Sequence, residues 1–88
     1  MIVKDEDDFD RLRVHIKKYR RKYPMFSKDV ERLQSTVENH IKQYSQYMIQ
    51  HRSTKSQKYV DKAELEIEKI NNLVKTIERI ELLMHLSK

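Results

Sequence analysis

Glycine is absent from this chain, and proline occurs once, at Pro24. Turns with positive φ, close approach of backbone to a phosphate and strained nucleophile turns all lean on glycine. Phosphate-cradling loops, dinucleotide fingerprints and nucleophile elbows are therefore excluded. What remains is a backbone that winds readily into long helices, and the apolar spacing says where.

Phe9, Leu12, Ile16, Tyr19 and Tyr23 fall on one stripe and predict a first helix over 8–22. Asp5, Glu6, Asp7 and Asp8 lead into it, and Arg20, Arg21 and Lys22 close it, which suits the helix dipole at both ends. Pro24 pushes Tyr23 out of the helical region and sets the stop. Ser27 reads as the N-cap of a second helix over 27–51, with Asp29 and Glu31 in its first turn. Its inner stripe is Val30, Leu33, Val37, Ile41, Tyr44 and Met48. A third helix over 56–86 carries Val60, Ala63, Ile67, Ile70, Val74, Ile77 and Met84 on one heptad seam, broken only by Glu81. An acid in that seam predicts a register mark or a cation waiting on a facing helix.

Between the second and third helices, Arg52-Ser53-Thr54-Lys55-Ser56 is the one stretch with linker composition, and Thr54 with Gln57 has capping-box spacing. Nothing there forbids helix, so a hairpin and one continuous rod are both open, with the polar cap-formers on the side of the hairpin. The fold class is all-α: a three-helix or helical-hairpin arrangement with a long C-terminal amphipathic helix, forming one domain over 1–88. The third helix would be about 45 Å long and the first about 22 Å. A short helix does not cover a long one, so helix two or a second chain must. We expect a homo-oligomer whose self-association seam is Ile67, Ile70, Val74, Ile77 and Met84.

Apolar and charged residues each make up 38% of the chain, a balance that suits amphipathic helices better than a deep globule. At 88 residues a domain buries only about 60–65% of its unfolded surface, which argues against an enclosed active site. With no cysteine there is no disulfide framework or thiolate metal site, in keeping with a cytoplasmic setting. No run of about 18 apolar residues exists, so no membrane span or secretory signal is expected.

The net charge of +5 is unevenly placed. Residues 11–28 hold Arg11, Arg13, Lys17, Lys18, Arg20, Arg21, Lys22 and Lys28 without one acid, and residues 51–62 add Arg52, Lys55, Lys58 and Lys62 against Asp61 alone. Arg11, Arg13, Lys17, Lys18, Arg20, Arg21 and Lys22 are the candidate nucleic-acid contacts, since cations on a solvent face can follow a phosphate backbone. An acidic protein partner and a merely solvated face stand beside that reading. Tyr19, Tyr23 and Tyr44 sit on apolar stripes and belong to the core, whereas Tyr47 and Tyr59 are the tyrosines expected at the surface.

Catalysis finds no foothold. No two of His15, His40, His51 and His85 are three or four residues apart, and His40 and His51 would lie about 16 Å apart on a straight helix. Ser27, Ser35, Ser45, Ser53, Thr54, Ser56 and Ser87 read as caps and surface. We expect no enzyme, no cofactor, no metal and no small-molecule substrate.

From Ile16 to Met84 the chain resembles small phage-encoded late-transcription regulators of the ArpU/RinA type. The likeness lies in a basic helix with tyrosines (IKKYRRKY), an acid-and-leucine helix (KDVERLQSTVENHI), a polar link (RSTKSQ) and a closing helix (KAELEIEKINNLVKTIERIELL). It implies a viral or mobile-element regulator. The resemblance is without the sigma-like DNA-binding segment that follows the last helix in such regulators, since this sequence ends at Lys88. The expectation is thus a non-enzymatic helical protein associated with nucleic acid. The alternatives are an adaptor or inhibitor acting through an apolar helix face, and a structural assembly component.

Overall fold

The computed structural model describes residues 1–86; Ser87 and Lys88, the former read above as surface, lie outside them. Three helices account for nearly all of it: α1 (Phe9–Lys22), α2 (Ser27–Thr54) and α3 (Gln57–Leu86), with 3-10 turns at Glu6–Asp8 and Pro24–Phe26. The described residues contain no strand. The all-α reading holds, and α2 and α3 form a hairpin rather than a rod.

Cross-helix pairs fix the directions. His40 meets Glu66, and His51 Nδ1 donates to the Ser56 carbonyl at 3.0 Å, so α2 and α3 run antiparallel. Phe9 packs edge-on against Tyr44 with ring centroids 5.4 Å apart, while Arg13 reaches Glu38, so α1 is antiparallel to α2. His15 with Glu78 and Tyr19 with Glu81 set α1 parallel to α3. At about 1.5 Å per residue α1 spans about 21 Å against about 45 Å for α3, and so covers half the hairpin. The rest projects as a two-helix stalk, giving a rod of 53 × 18 × 17 Å.

The core is a single cluster drawn from all three helices, with Leu12, Ile16, Val30, Val37, Ile70, Val74 and Ile77 sealed from solvent. Ile67, Ile70, Val74 and Ile77 were expected to be covered by a second copy. They face this chain's own α1 and α2 instead, and Met84 packs half-buried beside them. The reason is length: α2 runs three residues past the predicted end, to Thr54, and lies along α3. Within this chain the seam is covered.

Two caps differ from expectation. Ser27 is the first residue of α2 rather than its cap, because the turn that Pro24 starts runs straight into the helix with Phe26 at the N-cap position. Thr54 does not open α3. Its hydroxyl donates to the Gln50 carbonyl and accepts the Ser56 N–H, while Gln57 turns to Asp61, so no capping box forms. The turn depends on Lys55, which takes a left-handed conformation at φ 55° and donates its N–H to the His51 carbonyl. Tyr23, at φ −124° and ψ 73°, leaves the helix as a residue before proline must.

One element had no forecast. Residues 1–5 strap back over α3: Val3 is buried, its N–H donates to Asn71 Oδ1 at 2.7 Å, and Asn71 Nδ2 donates to the Val3 carbonyl at 2.8 Å.

Candidate functional site

Folding splits the basic cluster of α1 in two. Arg13 donates from Nε to Glu38 Oε1 at 2.8 Å and from Nη2 to Glu38 Oε2 at 3.1 Å, and also pairs with Asp10 at 3.2 Å. Those carboxylates hold its guanidinium above the usual arginine range. Arg20 lies 3.5 Å from Glu31, and Lys22 lies 3.3 Å from Glu81. Arg11 pairs with Asp8, although most of its side chain stays in solvent. These four cations tie α1 to its own surroundings.

Lys17, Lys18 and Arg21 make no ion pair among the described residues and stand in solvent. Helical geometry gathers them on the side of α1 opposite Leu12, Ile16 and Tyr19. With Lys22 they line a shallow open depression around Val14, which is 69% exposed. An exposed β-branched apolar residue among four cations was not singled out from sequence. The placing of Lys17 and Lys18 at i+3 and i+4 from it was the available signal.

Beside this face lies a small cleft between α1 and the end of α3, lined by His15, Lys18, Tyr19, Lys22 and Glu81. Tyr19 donates its hydroxyl to Glu81 Oε2 at 3.0 Å. Burial, then that hydrogen bond, pushes the phenol up to about 12. The Tyr19 hydroxyl, followed by Lys22, holds the Glu81 carboxyl below its ordinary value. The acid in the seam thus meets a cation on a facing helix. Each of its oxygens accepts a hydrogen bond, which suits a fastener rather than a proton shuttle.

Several other polar groups are paired between elements. His15 Nε2 and the chain's N-terminal ammonium share Glu78 Oε2 at 3.0 and 2.8 Å. Buried Glu66 receives His40 and Lys69. Among the described residues no three His, Asp or Glu side chains gather to hold a metal ion. None of their helices is long and apolar enough to cross a membrane. Tyr19, Tyr23 and Tyr44 are in the core as read from sequence, while Tyr47 and Tyr59 are half-buried at the stalk. Comparison with protein-family models, curated proteins and solved structures returned no match.

Proposed function

We propose that this chain is a non-enzymatic nucleic-acid-associating protein whose α1 outer face follows a phosphate backbone. One observation carries the reading. Lys17, Lys18 and Arg21 stand together in solvent without acidic partners among the described residues, while neighbouring cations are spent on holding the helix in place. Unneutralised cations on a rigid helix gain most from phosphates, because binding releases condensed counterions. Arg11, mostly in solvent although it pairs with Asp8, extends the face, so that from Arg11 to Arg21 it measures about 15 Å. A cytoplasmic regulator of a phage or mobile element is the setting that the family resemblance favours. This reading requires no second copy, since the core is filled within one chain.

Fluorescence anisotropy with labelled DNA and RNA across a salt series tests it. Affinity should fall steeply with salt, with a slope of about −0.9 per phosphate engaged on duplex. The triple variant K17E/K18E/R21E should lose at least about tenfold and flatten the slope by about three phosphates. Absence of binding to either polymer at low salt would overturn the proposal.

A second reading, a helical adaptor, draws on Leu82 and Leu86, which are 58% and 75% exposed one turn apart on α3. Partner capture that resists salt and is abolished by Leu82→Asp would favour it.

A further inference from the structure

The stalk beyond α1 carries a second constellation. Tyr47 on α2 and Tyr59 on α3 are both half-buried, and neither hydroxyl makes a hydrogen bond among the described residues. The Lys62 ammonium stands 5.8 Å from the centre of the Tyr47 ring and 5.9 Å from that of Tyr59, so one cation serves two rings from two helices. Lys58 stands 5.8 Å from the Tyr59 ring. Arg52 and Lys55 complete the tip, and none of these four cations has a carboxylate partner among the described residues. Asp61, the one acid within 51–62, accepts from Gln57.

We infer that the stalk tip binds single-stranded nucleic acid, stacking unpaired bases on Tyr47 and Tyr59 while Lys58 and Lys62 swing from the rings to the phosphates. The argument is one of exchange. An exposed cation over a tyrosine is worth only about 2- to 5-fold in an equilibrium. Stacking a base on an aromatic ring is worth about 5- to 150-fold, and the displaced ammonium then gains a phosphate. Both replacements favour the ligand. A duplex cannot use this surface, because its bases are already stacked inside the helix. An acidic peptide would satisfy the lysines but leave the ring faces without a partner.

The inference shares a ligand class with the α1 proposal but none of its residues. α1 begins at Phe9, opposite Tyr44, and does not reach Tyr47. The two claims can therefore fail separately.

The chain has five tyrosines and no tryptophan, so its intrinsic emission is tyrosine emission to which Tyr47 and Tyr59 contribute. Labelled oligothymidylate and a duplex of equal length are titrated against wild type, Y47L/Y59L, Y47F/Y59F and K17E/K18E/R21E, each checked for folding by thermal melting. Wild type should bind oligothymidylate at least about tenfold tighter than duplex, with tyrosine quenching. Y47L/Y59L should lose that preference and keep its duplex affinity, whereas Y47F/Y59F, which retains the rings, should keep both. Equal affinity of wild type and Y47L/Y59L for oligothymidylate would overturn the stalk site alone. Duplex binding unchanged in K17E/K18E/R21E would overturn the α1 face alone. Wild type binding neither probe would overturn both. If Y47L/Y59L does not fold, unquenched wild-type emission on saturation with oligothymidylate is the overturning result.

Discussion

Asn71 clasps the backbone of Val3 at two points, accepting its N–H and donating to its carbonyl at 2.7 and 2.8 Å. One side-chain amide thus does what a strand partner would do, and it lets the N-terminal strap seat Val3 in the core. Asn71→Ala removes both bonds and should cost about 1–3 kcal/mol. Thermal melting gives the magnitude. Loss of hydrogen-exchange protection at Val3, with α2 unaffected, would confirm that the strap frays first.

Arg13 and Lys17 belong to one sequence cluster but should behave oppositely. Arg13 grips Glu38 with two nitrogens, so Arg13→Gln should lower stability by about 1 kcal/mol and leave polyanion affinity near wild type. Lys17→Gln should weaken polyanion binding with no change in melting temperature. A melting curve and an anisotropy titration on both variants separate the roles.

The ion pairs predict the acid limb of stability. The Lys4 N–H, then Arg11, holds Asp8 below its ordinary value despite burial. Tyr19 and Lys22 do the same for Glu81. At Glu78 burial is the largest influence and pushes upward, yet the N-terminal ammonium and His15 together outweigh it. Depressed carboxylates stabilise the fold fully above their ordinary values of 3.8 and 4.5, and that stability fades as pH falls through the lower folded values. Melting temperature should hold from pH 7 to about 5, then drop, and Glu81→Gln should soften the drop.

On the alkaline side Tyr19 is raised from 10.0 to about 12. Its neutral form stabilises the fold below pH 10, and the contribution disappears as pH rises toward 12. Tyr19→Phe should remove the highest-titrating step from the tyrosinate absorbance curve.

Lys55 turns the hairpin in a conformation that costs a side-chain-bearing residue about 1 kcal/mol and glycine almost nothing. Lys55→Gly should therefore raise stability by about 0.5–1 kcal/mol, or a few degrees in melting temperature. Lys55→Val should lower it. A reversed order in differential scanning calorimetry would contradict the turn geometry.

Ile77 is 1% exposed inside one chain. Ile77→Ala should cost about 2–5 kcal/mol, and the midpoint of chemical unfolding should not move with protein concentration. A midpoint that climbs with concentration would show that a second copy completes the core.

Much of the candidate site was legible without coordinates. The run from Arg11 to Lys22 stood out because like charges on consecutive turns need no folding to be seen. Glu81 stood out because it breaks an apolar seam, and Tyr47 and Tyr59 because they fall off the stripes. Hidden from that reading was which cations were already occupied. Glu38, Glu31 and Glu81 lie between 11 and 59 residues from their partners along the chain, and no local spacing predicts that they will meet. The bridging of two rings by Lys62 was half visible in its i+3 relation to Tyr59 and invisible in its relation to Tyr47.

Helix and stripe were settled by sequence alone, because a 3.6-residue rhythm of apolar side chains and the φ limits of proline act within a few residues. The break at Lys55, the burial of the α3 seam by its own chain and the isolation of Lys17, Lys18 and Arg21 were decided only by tertiary structure. Each depends on how far α2 runs before it turns and on which acids that turn brings alongside, and both follow from summed packing over the whole molecule.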